Sequence, residues 1–238
     1  METYVFLFAV ILLSSALQTG TGFGFSIVTV PFLLFAFDAR DAVQINILLS
    51  LLLSLLMFAK VRKDIDRGLL KRLLTGSLVF MTPGLLVFLY MPFGRLKLIV
   101  SLFILLFTVL LAFRFRMTQT PAKDRAVGGL SGFLSAAVGI PGPPLLAYFS
   151  AVDLDKDVSR STTLAFYIFI YGVSAALQLL FAPTSGEAWL SAGASVPFVL
   201  LGMWIGQRLF RYVNQRSFQR ICIVILFFTG IQLLYSSI

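Results

Sequence analysis

Histidine is absent from this chain, cysteine occurs once, and charged side chains make up only 12% of 238 residues. Without histidine there is no Ser–His dyad and no Cys/His zinc site. The lone Cys222, inside an apolar run, excludes a disulfide framework and reads as a small core residue. No buried aspartate pair, metal cluster or cofactor motif is visible, so the chain is not expected to be an enzyme and no cofactor is expected. Acidic residues number 10 against 19 basic ones. None lies in the interior of a conventional apolar span, so a carboxylate proton relay of the pump type is not visible either. The start, Met1-Glu2-Thr3 before an apolar run, lacks a basic n-region and reads as a retained membrane segment.

Apolar residues are abundant instead. They fill 59% of positions, and mean hydropathy is +0.97. Soluble domains carry about 45–50% apolar and about 25% charged residues. A soluble core of this length has too little volume to bury so much Leu and Phe. Lipid must be the solvent. Apolar segments run from end to end, leaving no room for a soluble domain. The net charge of +9 resides in short loops between apolar runs, which fits membrane topology and not nucleic-acid binding.

Six conventional spans are expected, at about 42–59, 69–90, 96–113, 161–182, 188–207 and 217–236. Two further apolar regions, 4–36 and 126–152, are interrupted. The breaks are Gly20-Thr21-Gly22-Phe23-Gly24 and Gly139-Ile140-Pro141-Gly142-Pro143-Pro144. The arms beside the second break, about 10–13 residues, are too short for a hydrocarbon core of about 30 Å.

The two breaks fall at equivalent places. Gly22 matches Gly139, Gly24 matches Gly142, Asp41 matches Asp157, Asn46 matches Thr162 and Gly84 matches Gly206. The chain reads as an all-α polytopic membrane protein of two inverted repeats, each a re-entrant helical hairpin plus three transmembrane helices. Residues 1–117 form the first repeat, 118–125 a cytoplasmic connector and 126–238 the second repeat. Loop charge supports inversion. If each broken region crosses the membrane once, basic residues divide ten to nine between the faces. If each dips and returns, loops 60–72, 114–125, 153–160 and 208–220 share one face with sixteen, leaving three opposite. The positive-inside rule favours the second layout, with both termini outside.

Non-helical backbone at membrane depth is tolerated only inside protein or beside a watery cavity. The two tips are therefore expected to meet near the midplane, each followed by a short helix, from near Phe25 and near Pro143. A helix N-terminus offers free N–H groups and about half a positive charge, an anion site. Gly22, Gly24 and Gly142 allow close approach of a ligand, though glycines also serve plain helix packing. Thr19, Thr21 and Ser26 offer hydroxyls. Gln44, Asn46 and Thr162 follow the tips, and Arg160 reads as a bidentate anion partner or a snorkelling interfacial residue. Asp41 and Asp157 are expected to cap the helices they begin, and Gln178 and Gln207 to bond between helices. The candidate substrate site thus comprises Thr19 to Ser26, Gln44, Asn46, Gly139 to Pro143, Arg160 and Thr162. The expected partners are a small anion and the lipid bilayer. The residues leave open a proton or sodium ion as coupling ion, the oligomeric state, and the rival readings of an anion channel or a non-transporting scaffold subunit.

With Gly20-Thr-Gly-Phe-Gly-Phe-Ser-Ile-Val-Thr-Val-Pro31 and Gly139-Ile-Pro-Gly-Pro-Pro-Leu-Leu-Ala-Tyr148 in register, nearly the whole chain resembles the TauE/SafE family of sulfite-exporter-like permeases. The resemblance implies a cell-membrane carrier that exports or exchanges sulfite, sulfonates or other small organic acids. Pro141 and Pro143 stand where many members have glycine.

Overall fold

The computed structural model describes residues 2–112, 116–182 and 184–209, with scattered positions between 223 and 235. The last expected span, 217–236, and Cys222 lie largely or wholly outside the described residues. Every regular element among the described residues is helical. Long apolar runs produce helices because lipid cannot satisfy an exposed backbone.

The first half contains α1 (Glu2–Thr21), α2 (Phe25–Ala36), α3 (Ala39–Val61), α4 (Arg67–Tyr90) and α5 (Phe93–Ala112), with a 3-10 turn at Arg62–Asp64. The second contains α6 (Pro121–Val138), α7 (Gly142–Ala151), α8 (Lys156–Phe181) and α9 (Gly186–Leu209). Five of these, α1, α3, α4, α8 and α9, are long and apolar enough to cross a bilayer. Leu78, Val79, Phe80, Leu180, Leu190 and Trp204 point outward, as side chains solvated by lipid do.

Both breaks sit where the glycine clusters predict them. α1 stops at Gly22, whose φ is +83°, with its N–H on the Gln18 carbonyl at 2.7 Å. α6 stops at Gly139, φ +70°, with Gly139 N–H on Ser135 and Ile140 N–H on Leu134. A left-handed glycine ends each first arm, with its N–H on the carbonyl four residues back. One expectation changes. The first arms are longer than their apolar cores suggest, while α7 has the expected 10 residues. α6 has 18 residues because Thr120 caps it and Pro121 occupies its first turn. α1 has 20 residues, about 30 Å, so length alone does not prevent it from crossing.

Packing partners are exchanged between the halves. α1 lies on α9 and α6 lies on α4, both at backbone distance. A Cβ on Gly202 would collide with the Leu12 carbonyl, and one on Gly206 with that of Ala16. A Cβ on Gly84 would collide with the Phe133 carbonyl, and one on Gly128 with that of Leu73. The matched pair Gly84 and Gly206 therefore serves matching interfaces. Small residues let membrane helices approach where no hydrophobic force draws them together. α3 and α8 pack on each other between these pairs.

Polar contacts join the ends of the helices. Arg40 donates to the Leu89 carbonyl at 2.8 Å and Ser185 to Asp41 at 2.7 Å. Toward the other helix ends, Lys60 donates to Gln207 at 2.6 Å. The Asp66 N–H donates to Thr162 at 3.1 Å and the Met117 N–H to the Ala151 carbonyl at 2.8 Å. Asp124, fully buried in α6, pairs with Arg72 at 2.6 Å and accepts from the Tyr148 hydroxyl at 2.7 Å. This buried acid ties α4, α6 and α7 together.

Candidate functional site

The two half-helices that follow the breaks are both largely buried and touch through a few side chains. Phe23, at the first tip, meets Phe149 near the end of α7, with ring centroids 6.2 Å apart. Gly142, at the start of α7, packs on Ile27 of α2. The tips thus pass each other and do not point end to end, because α2 and α7 run in opposite directions and apolar side chains occupy the seam.

Each tip is held by a side chain from a long helix. Arg160 of α8 donates from Nη2 to the Thr19 carbonyl at 2.6 Å. A Cβ on Gly22 would stand 2.8 Å from the Arg160 Cα, so any larger residue must push the tip and α8 apart. Asn46 of α3 donates from Nδ2 to the Gly139 carbonyl at 2.8 Å. A Cβ on Gly139 would stand 2.9 Å from that nitrogen. Carbonyls near the end of an interrupted helix need such partners in a dry interior.

The remaining candidate residues take different places. Thr21 closes its own turn, with its hydroxyl 2.6 Å from the Leu17 carbonyl and 2.8 Å from that of Phe23. Gly20 faces the Gly206 carbonyl of α9. Gly24, φ +110°, precedes α2, which Phe25 begins. Ile140, Pro141 and Pro143 are buried in and beside the second tip, with Pro143 in the first turn of α7. Thr162 is buried against the Asp66 N–H and does not join the tips. Gln44 donates to the Ala182 carbonyl at 2.9 Å. Gln178 and Gln207 do bond between helices, to the Ala136 carbonyl and to Lys60.

The capping assignment is corrected. Asp155, not Asp157, accepts from the Asp157 and Val158 N–H groups at the start of α8. Asp38 precedes α3 without a side-chain cap bond, while Asp41 one turn in accepts from Ser185. Asx capping needs non-helical backbone, and Asp41 and Asp157 are already helical.

Sequence reading missed two tyrosines. Tyr167 and Tyr171, one turn apart on α8, are both 0% exposed, with ring centroids 5.2 Å apart. A Cβ on Gly142 would stand 2.8 Å from the Tyr167 hydroxyl, which places that oxygen at the first turn of α7. The Tyr171 hydroxyl faces the hydroxyls of Ser26 and Ser50. The Tyr167 hydroxyl, with those of Thr19 and Thr163, is buried and has no hydrogen-bond partner. Each unmade bond of this kind costs about 1–3 kcal/mol, which makes several together a functional signal. The clue available in sequence was Thr163, Tyr167 and Tyr171 at four-residue spacing on one helical face.

Among the described residues no group of three or more His, Cys, Asp or Glu could hold a metal. Helices of membrane-crossing length around two buried half-helices define a multi-pass membrane protein. The family profile described as Sulfite exporter TauE/SafE matches residues 7–233, and the chain belongs to that family. No curated protein and no solved structure matches it.

Proposed function

We propose that this protein is a secondary transporter of the cell membrane that exports a small anion, with sulfite or a sulfonate as the substrate class. The family is one of sulfite exporters, and the particular anion is this reading's own step. The anion sits along the seam between the first turns of α2 and α7. Helix N-termini supply N–H groups and partial positive charge, while Tyr167, Tyr171, Ser26 and Ser50 supply hydroxyls. The single observation carrying this reading is the Tyr167 hydroxyl, buried, unbonded and against Gly142 at the start of α7. A sulfur oxyanion needs several donors around a compact charge. Neutral donors bind it without holding it irreversibly, as a carrier requires.

Arg160 and Asn46 position the tips in this reading, and Thr19 to Ser26 with Gly139 to Pro143 shape the seam. Residues 1–117 and 126–238 form the two repeats, and within the connector 118–125 the first helix of the second repeat is already under way from Pro121. The exchanged pairs α1–α9 and α6–α4 support that division. The helix-end contacts support the inverted arrangement. Residues 40 and 41 bond near 89 and 185, whereas 60, 66 and 117 bond near 207, 162 and 151.

The test is flux. Purified protein in liposomes is expected to show saturable sulfite or sulfonate uptake, accelerated by the same anion on the opposite side. Non-saturable flux would indicate a channel, and no flux across sulfite, sulfonates, thiosulfate and small carboxylates would remove the transport reading.

A further inference from the structure

The two hairpins differ in one respect that their symmetry exposes. Thr19 and Ala136 are equivalent, each three residues before the left-handed glycine that ends its helix. The Thr19 carbonyl is met by the cation Arg160. Arg160 follows Asp157 by three residues, and the residue that so follows the matched Asp41 is the neutral Gln44. The sequence counterpart of Arg160 is thus a neutral amide, spent on the Ala182 carbonyl, while the Ala136 carbonyl is met by Gln178.

Around that amide the free groups are oxygens. Gln44 and Gln178, 4% and 1% exposed, commit their N–H groups to the Ala182 and Ala136 carbonyls. Those bonds fix the amide orientation and leave both Oε1 atoms buried without a partner. Thr184 Oγ1 is buried and unpartnered as well. All three residues line one small crevice, walled by Ile47, Leu179 and other apolar groups.

The surrounding charge favours a cation. α6 and α8 both end here, and a helix C-terminus carries about half a negative charge. Asp41, one turn before Gln44, accepts from Ser185 beside Thr184. The N-terminus of α9 is close, but Ser185 also accepts its Ala188 N–H at 3.0 Å. Arg40 is turned toward the Leu89 carbonyl.

We infer that the Gln44–Gln178–Thr184 crevice binds a sodium-sized monovalent cation, and that this ion is the coupling ion of the transport proposed above. The coupling half of the inference rests on that transport reading. Amide and hydroxyl groups do not titrate near neutral pH, so the site selects a metal cation over a proton. Helix C-termini with side-chain oxygens suit such an ion at a broken-helix site. At the first tip the sequence counterpart of Gln44 is the cation Arg160, which donates to the Thr19 carbonyl.

The experiment uses the full chain in nanodiscs without substrate anion. Its thermal midpoint is followed against sodium, potassium, ammonium and choline chloride at constant ionic strength. Sodium alone is expected to raise the midpoint saturably. Thr184→Val and Gln178→Met are expected to raise the half-saturating sodium concentration about tenfold, the loss of one oxygen ligand. Thr184→Val breaks no existing hydrogen bond of that side chain, so it remains informative if Gln178→Met misfolds. Identical curves in all four salts would mean the crevice holds water and would overturn the inference. So would a response to potassium or ammonium as large as to sodium, or a sodium response unmoved by both variants. A sodium response without anion flux in liposomes would remove the coupling role and the transport reading while keeping the site. Undiminished flux in choline medium with no sodium response would do the reverse.

Discussion

Arg160 donates to the Thr19 carbonyl at 2.6 Å while its own Cα backs onto Gly22. One residue of α8 therefore both holds the first tip and sets how closely the tip approaches. Arg160→Gln is expected to lower the thermal midpoint and to reduce maximal flux severalfold. A charged donor to a buried carbonyl contributes about 1.5–3 kcal/mol. Arg160→Lys restores part of both. Wild-type stability and flux in Arg160→Gln would refute the clamp.

Tyr167→Phe separates binding from folding. The hydroxyl bonds to nothing in the protein, so its removal leaves stability equal or slightly raised. Substrate affinity is expected to fall about tenfold, the worth of one donor to a charged ligand. Isothermal binding and a thermal melt on the same sample read both quantities. A destabilised variant with unchanged affinity would make Tyr167 a packing residue.

Gly22→Leu and Gly142→Leu are expected to abolish transport in a chain that still purifies as a folded monodisperse species. At Gly22 the left-handed backbone adds about 1–2 kcal/mol of strain to the collision with Arg160. At Gly142 the backbone is helical, and the added side chain instead meets the Tyr167 hydroxyl. Retained flux in both variants, read in liposomes, counts against the seam as the binding place.

Layout is tested by labelling. In a Cys222→Ser background, Asp38→Cys and Asp155→Cys are expected to react with an impermeant maleimide from opposite faces. Labelling from the same face would remove the inverted repeat, whatever the flux results.

Much of this architecture was legible because it rests on backbone rules. Gly22 and Gly139 stop their helices where the clusters predict, since a left-handed residue without a Cβ ends a helix regardless of its surroundings. Repeat matching also pointed to Gly84 and Gly206, and both turn out to face a neighbouring backbone. What sequence could not give was relative depth. Nothing local says that α2 and α7 slide past each other, so Phe23 meets Phe149 and the tips do not abut. The four-residue spacing of Thr163, Tyr167 and Tyr171 shows a shared helix face, but not that the Tyr167 hydroxyl is left without a partner. Asp124 was assigned to a loop because its partners, Arg72 and Tyr148, lie on other helices.

The exchanged helix pairs also constrain how the protein is made. α1 is synthesised well before α9, yet the glycine-lined face it needs belongs to α9. Until then α1 must wait in the bilayer or the insertion machinery with its small-residue face uncovered. The amino-terminal half expressed alone cannot complete that contact. Co-expressed halves should reassemble, because each carries the surface that the other lacks.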